Sequence, residues 1–427
     1  MKHYYLLLIC VALISCKNEV EIEFITHPET YNSYLTSNNN KTFTRALSEK
    51  IFWSKRLRPD STGVGDLGPL ANAYTLLFET TGDIIYLKNA EKIYRKAIVV
   101  SANNKDSYTR SLAQNLISQH RFHEAKLILE ENYSGKGNKR ATSLLLFDVY
   151  LELGEYEKAD QALGKLKNTN DFNYLIRLAK WNDYKGELEA AIRNLEGAKK
   201  IADSRKSKPL QIWINTNLAD FYGHDGRIKD SFELYLKALE LQPDNAYAKK
   251  QIAWIVYSSE KNTKEATRIL DSVMVHHKVP DYYLLKSEIL AFNGKVAESN
   301  TMVESFMNAV KNENYGNMYN SYLIEVYSET NPKIALEIAK AEIKNRATPE
   351  IFSLLAFAQL NVGNKEEALQ TISNYVEGKT FSPMSLYYSA LVFDANNKKE
   401  KVKTLKQELL NASYELGPKK LKKIESL

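Results

Sequence analysis

Apolar and polar residues alternate along most of the chain with the period of an α-helix. Between residues 246 and 258, for example, Ala248, Ile252, Ala253 and Val256 lie on one helical face. Similar apolar stripes follow one another along the chain and are separated by short polar turns. The chain contains only 17 Gly and 10 Pro, too few for the many turns of an all-β protein. The pattern therefore predicts an all-α fold.

The helical stripes repeat in a constant phase. In the first helix of each predicted pair, a small or apolar residue recurs at a nearly regular interval, and the second helix has its own recurring position. Small residues are expected where paired helices cross, because a larger side chain would push the two axes apart. In several pairs, a glycine stands between the first and the second helix, where it can end the first helix in a left-handed turn. The first-helix positions are Ala113, Phe147, Ala179, Ala219, Ala253, Ser287, Leu323, Ala356 and Ser389; the second-helix positions are Ala125, Ala159, Ala191, Ser231, Ala266, Ser299, Ala335, Ala368 and Lys401; the turn glycines are Gly154, Gly186, Gly226, Gly294 and Gly363.

Residues 212–245 carry the clearest copy of this repeat. Its characteristic positions are Asn215, Leu218, Ala219, Tyr222, Gly226, Ser231, Tyr235, Ala238 and Pro243. This arrangement resembles the tetratricopeptide signature, whose period is about 34 residues, with Asn215 in place of the usual tryptophan and Ser231 in place of the usual alanine. The resemblance implies an all-α, right-handed superhelical solenoid of about nine to ten helical hairpins over residues 66–412.

Shorter segments flank the predicted solenoid. A helix and a loop are expected at residues 45–65. At residues 413–427, Leu416, Leu421 and Ile424 lie near helical spacing with lysines between them, and Gly417-Pro418 is suited to restart a helix. We predict a capping helix that covers the last apolar face and presents charge to water; contact of its lysines with anionic lipid is the alternative. The longest repeat step coincides with residues 199–208, which are predicted to be a basic loop insertion of about six residues.

The N-terminus has the features of an export signal. Lys2 is followed by a short apolar stretch that is too short to span a bilayer, and the stretch ends in Leu13-Ile14-Ser15-Cys16. This ending resembles the lipobox of bacterial lipoproteins, which implies cleavage after residue 15 and acylation of Cys16. The alternative is an ordinary secretory signal with an incidental cysteine. Residues 16–44 are polar and are predicted to be a flexible tether. The residues after Cys16 include no adjacent aspartate, which favours anchoring in the outer membrane.

Motifs for catalysis or metal binding are weak. Residues 63–68 match GxGxxG, but Pro59 precedes them where a dinucleotide site needs a strand, so a loop that opens a helix is predicted. His120 and His123 have no third ligand in sequence and are interpreted as part of a turn. His276 and His277 are adjacent and are expected to end a second helix. We predict no enzyme, no cofactor and no metal site, and the net charge of +6 is too small for a nucleic-acid footprint.

The predicted function is to bind another protein. The resemblance implies that the first helices line the concave face of the solenoid. On that face we expect a groove that receives a protein or peptide partner, with the membrane reached only through the lipid anchor. The groove residues are Trp213, Asp220, Tyr247, Lys250, Trp254, Tyr257, Glu288, Asn320, Tyr327 and Phe357. Two other interpretations stay open: that these aromatics fill the superhelix interior, and that the chain is a glycan-uptake or outer-membrane assembly lipoprotein with tetratricopeptide helices.

Overall fold

A computed structural model describes residues 24–36, 40–57 and 64–427, and all of the regular structure in these ranges is helical. Cys16 and the predicted signal lie outside the described residues. The helices are α1 Pro28–Thr36, α2 Lys41–Arg56, α3 Val64–Thr81, α4 Ile84–Val100, α5 Lys105–Ser118, α6 Phe122–Ser134, α7 Lys139–Glu152, α8 Tyr156–Gly164, α9 Phe172–Tyr184, α10 Leu188–Ser204, α11 Lys208–His224, α12 Ile228–Leu241, α13 Ala246–Ser258, α14 Thr263–His276, α15 Asp281–Phe292, α16 Val296–Ala309, α17 Asn320–Thr330, α18 Pro332–Asn345, α19 Pro349–Asn361, α20 Lys365–Tyr375, α21 Pro383–Ala395, α22 Lys399–Asn411 and α23 Ser413–Glu425.

Helices α3 to α22 form ten antiparallel hairpins, each of which packs on the next. The odd-numbered helices are the first helices and the even-numbered ones the second helices. First helices also contact one another: α17 contacts α19, and α19 contacts α21. The all-α solenoid of about ten hairpins is therefore confirmed, and the described residues from 64 onward contain only hairpins, their connections and one final helix.

The predicted crossing residues are buried at nearly every repeat. At one repeat the two crossing residues are serines, and the hydroxyls of Ser287 and Ser299 lie 2.8 Å apart in a hydrogen bond. Two positions are wrong by one residue. Leu323 is only half-buried while Ile324 is fully buried, because α17 starts after an irregular loop that shifts its register. Lys401 is exposed and pairs with Glu377, so Val402 takes the buried position.

The turn inside each hairpin explains the recurring glycines. All five predicted turn glycines have φ between +74° and +93°, a region that is costly for residues with a side chain. Three hairpins without a glycine use another residue at the same place: His120, Lys261 and Asn397 have φ of 55°, 55° and 56°. The turn between α17 and α18 differs, because Asn331 has φ −149°. His120 is thus a turn residue, as predicted, and His276 and His277 stand at the end of α14.

Two predicted segments differ from the expectation, the tether at residues 16–44 and the insertion at residues 199–208. The predicted flexible tether contains α1, whose Tyr31 is buried against α12 and α14 and donates to Glu265 at 2.7 Å. Just before α1, the backbone amides of Ile25 and Thr26 donate to Glu260 at 2.9 and 2.6 Å. These contacts join residues that are far apart in the sequence, so the polar composition of residues 16–44 could not predict them. The predicted insertion at residues 199–208 is no loop, because α10 and α11 are each extended to 17 residues.

The solenoid closes on itself. Hairpin turns in its first half touch the loops between hairpins in its second half, which are distant in the sequence. The amide of Lys278 donates to the carbonyl of Thr81 at 2.8 Å, and Gly186 packs directly against the ring of Phe381. Successive superhelical turns are therefore in contact, and the first helices surround a narrow interior.

Candidate functional site

One part of the predicted groove is open and is organised by a single carboxylate. Asp220 of α11 accepts hydrogen bonds from the Tyr247 hydroxyl and the Gln251 amide, both at 2.7 Å, and from the Tyr235 hydroxyl. These bonds join the first helices α11 and α13 to the second helix α12. Burial and the adjacent Asp220 raise the pKa of Tyr247, so its hydroxyl stays a donor at neutral pH. The hydrogen-bonded cluster is a preorganised polar platform.

Large aromatic side chains flank this platform. Trp213 is 39% exposed and Tyr247 is 43% exposed, and Trp213 meets the ring of Phe172 edge to face at 5.8 Å. The Lys250 ammonium lies 5.0 Å from the centre of the Tyr247 ring. Burial lowers the pKa of Lys250. We define the open groove as Trp213, Asp220, Tyr247 and Lys250. Tyr247 contacts both Asp220 and Lys250, and Trp213 lies on the same helix as Asp220, two turns before it.

The neighbouring part of the groove is covered by the chain's own C-terminal helix. Helix α23 packs on α11, α13 and α15 as well as on its sequence neighbours α21 and α22. The indole nitrogen of Trp254 donates to the carbonyl of Tyr414 at 2.9 Å, and the Lys420 ammonium lies 3.7 Å from the Glu288 carboxylate. The predicted cap is thus also an occupant of the concave face. Trp254 and Glu288 do face the groove, but they contact α23.

Other predicted groove residues serve packing. Tyr257 is fully buried and its hydroxyl donates to Glu288 at 3.3 Å. Phe357 is 9% exposed and stacks on Tyr388 with ring centres 4.6 Å apart. Tyr327 packs against the same apolar cluster, and the Asn320 amide donates to Glu342 of α18 at 2.8 Å. For Tyr257 and Phe357 the expected exposure in the groove is wrong, because closure of the superhelix brings first helices together and buries these inward aromatics. Tyr327 and Asn320 are half-buried.

Two adjoining cavities of about 380 and 390 Å³ lie farther inside the superhelix. Among the charged side chains of their walls, acidic residues outnumber Lys180 and Arg346, and Asp183 and Glu350 border both cavities. Burial raises the pKa of Asp183 and of Glu325. Lys180 compensates part of the charge through its ion pair with Glu152 at 3.0 Å. Sequence reasoning missed these residues and the footprint of α23, since both arise from elements that are far apart in the sequence.

The described ranges contain neither a cluster of metal-ligating side chains nor a membrane-spanning helix. No group of three or more His, Cys, Asp or Glu side chains there is arranged to hold a metal ion. Of the helices described, none is both long and apolar enough to cross a bilayer. Residues 64–68 open α3, so the part of the GxGxxG match that the structure describes begins a helix, as predicted.

The sequence comparison identifies one repeat. Residues 214–245 match the tetratricopeptide repeat profile. The chain carries a tetratricopeptide repeat. The match lies on α11 and α12, the hairpin that supplies Trp213 and Asp220. No curated protein matches the chain.

Solved structures of other tetratricopeptide and helical-repeat proteins are similar to this chain at low identity. A tetratricopeptide repeat protein from Parabacteroides merdae is 14% identical, with 63% of this chain and 93% of that one covered and a TM-score of 0.39. Yeast Tom70 is 14% identical over 90% of this chain and 95% of its own, with a TM-score of 0.40. A Rap protein in complex with Competence and Sporulation Factor is 14% identical over 75% and 99%, with a TM-score of 0.46.

Proposed function

We propose that this protein is a lipid-anchored tetratricopeptide scaffold of the bacterial outer membrane that binds a protein or peptide partner in its concave groove. The observation that carries the proposal is the open groove beside the tetratricopeptide match. There Trp213 and Tyr247 expose large aromatic surface next to a fixed set of polar groups. Tryptophan and tyrosine are the residues that most often dominate binding energy at protein interfaces.

Preorganisation supports the same proposal. Asp220 holds the Tyr247 hydroxyl and the Gln251 amide in place before any partner arrives, so little side-chain freedom remains to be lost on binding. The ammonium of Lys250 and the faces of Trp213 and Tyr247 would then contact an extended or helical segment. The anchor at Cys16 would hold this groove close to the membrane surface.

A site-specific photocrosslinker tests the groove. Placed at Trp213 or Tyr247 in intact cells, it should give a discrete adduct with one partner. Val99 on the second helix α4 is 78% exposed and is the matched control, because it is apolar but lies outside the groove. Trp213→Ala combined with the crosslinker at Tyr247 should reduce the adduct at least roughly tenfold, since a hot-spot truncation costs about 2 kcal/mol or more. Equal adducts at Val99 and in the groove would contradict the proposal.

A further inference from the structure

Helix α23 contacts the first helices in the manner of a bound peptide. Its Tyr414 carbonyl accepts from the Trp254 indole at 2.9 Å. The ring of Tyr414 lies on Gly223 of α11 so closely that any side chain at position 223 would overlap it. Gly223 therefore leaves a slot for an aromatic ring on the concave face. A tryptophan donor, an aromatic slot and a nearby carboxylate form a recognition surface within three consecutive first helices.

The middle of this occupant is a kink at glycine. Gly417 has φ +71° and ψ 165°, outside the helical region, and it presses on the edge of the Trp254 ring. A Cβ at this position would lie 2.8 Å from the Trp254 ring and 2.9 Å from the Glu288 carboxylate. Only glycine combines this backbone conformation with this approach. The kink turns the chain so that Lys420 reaches Glu288 at 3.7 Å.

The fit of α23 to the surface is incomplete. The Tyr414 hydroxyl is buried and has no hydrogen-bond partner among the described residues, which costs free energy. The ion pairs Lys420–Glu288 and His224–Glu415 are long, at 3.7 and 3.9 Å. Burial and the charge of Asp183 raise the pKa of Glu415 to about 7. An occupant that placed no unpaired hydroxyl in the slot and brought its ammonium closer to Glu288 would bind the same surface more tightly than α23 does.

We propose that the footprint of α23 is a peptide-recognition site, and that the partner inserts there a segment with an aromatic residue, a glycine three residues later and a lysine six residues later, in exchange for α23. The spacing is that of Tyr414, Gly417 and Lys420. The inference rests on the proposed function, because it assigns the partner's chemistry. Since α23 belongs to none of the ten hairpins, its release requires no hairpin to open.

The test uses the full chain and a fluorescent synthetic peptide of residues 413–427. Gly417→Val weakens the internal occupant and leaves Gly223, Trp254 and Glu288 unchanged. We expect the G417V protein to bind the peptide at least tenfold more tightly than the unaltered protein, whose site is filled. In the G417V background, Glu288→Lys should abolish binding of this peptide, and a peptide with Lys420→Glu should restore it. Glu189→Lys on the second helix α10 is the control and should change nothing.

Two results would overturn the inference. The first is a folded G417V protein, verified by its melting transition, that binds the peptide no better than the unaltered protein. If G417V does not fold, hydrogen exchange of the unaltered protein decides: amides of α23 should exchange faster than those of α13. Exchange of α23 only in global unfolding overturns it. The photocrosslinks at Trp213 and Tyr247 lie outside this footprint, so their persistence would leave the proposed function standing.

Discussion

Single small residues set the spacing of the paired helices. Ala191 and Ala219 are fully buried where the helices of a hairpin cross, and the polar Ser287–Ser299 pair serves the same purpose because its hydroxyls satisfy one another. The phase of these positions was predictable from the sequence because the crossing geometry admits few side chains. The one-residue errors at Leu323 and Lys401 occur where a loop or an ion pair changes the register.

Ala191→Asp tests the crossing geometry. It would bury an unpaired charge and overpack the crossing, so the free energy of unfolding should fall by roughly 3–5 kcal/mol. Glu189→Ala on the same helix is the control and should change it by less than about 0.5 kcal/mol, since the Glu189 side chain is 84% exposed. Denaturant titration measures both values, and equal losses would show that Ala191 is not at a crossing.

At the scale of elements, α1 and α23 both pack on helices that are distant in the sequence. Helix α1 packs on α12 and α14, and α23 packs on α11, α13 and α15. The amphipathic pattern of residues 413–427 predicted a cap but could not name the surface that it covers. Any apolar face in the solenoid could have been the partner as far as local sequence is concerned, because the choice depends on superhelix closure.

The docking of α23 should depend on pH through Glu415. Its folded pKa of about 7 is above the ordinary value of 4.5 because burial and Asp183 disfavour the charge. The folded state therefore holds a proton that the unfolded state has lost, so stability falls as pH rises from about 4.5 to 7. Relative to Glu415→Gln, the native protein should lose on the order of 2 kcal/mol over this range.

Thermal or denaturant unfolding of both proteins at pH 4.5 and pH 7 measures this difference. The comparison with Glu415→Gln removes most of the contribution of neighbouring groups. Those groups are Asp183, whose pKa is also raised by burial, and His224, whose pKa is lowered by burial. A stability difference between the two proteins that does not change with pH would refute the assignment.

At the scale of the whole molecule, successive turns of the superhelix contact one another and close the gap between them. Gly186 and Gly226 have nearly the same backbone conformation, with φ of +75° and +74°, but of these two only Gly186 touches the other turn within the described residues. Gly226→Ala should lower the free energy of unfolding by only the roughly 1–2 kcal/mol that a residue with a Cβ loses in a left-handed conformation. At Gly186 the added methyl would also lie 2.6 Å from Phe381, so the loss should be larger.

The measurement is the free energy of unfolding of both variants, with small-angle scattering to detect an opened superhelix. Gly186→Ala should increase the radius of gyration, whereas Gly226→Ala should leave it unchanged. If the two variants behave alike, the contact between turns does not hold the superhelix closed.

The proposed lipid anchor at Cys16 also belongs to this scale, because it would position the whole protein at the membrane. Cys16→Ser should release the protein from the membrane fraction or leave it unprocessed, because serine cannot form the thioether that carries the lipid. Cell fractionation with immunoblotting measures this, and Cys10→Ser is the control because Cys10 lies inside the apolar stretch. Processed Cys16→Ser protein that still sediments with membranes would contradict lipidation as the anchor.

The sequence by itself determined the all-helical class, the hairpin repeat, the turn glycines and the small residues at helix crossings, because each depends on contacts within one hairpin or between neighbouring hairpins. The predicted phase also puts Asp220 and Tyr247 on facing positions of adjacent first helices, and their side chains are hydrogen-bonded. Only the tertiary structure decided which inward residues stay open and which are covered. Tyr257, Phe357 and the footprint of α23 depend on how far each hairpin rotates on the last. Those small rotations add up along the solenoid until distant first helices, and the end of the chain, share one interior.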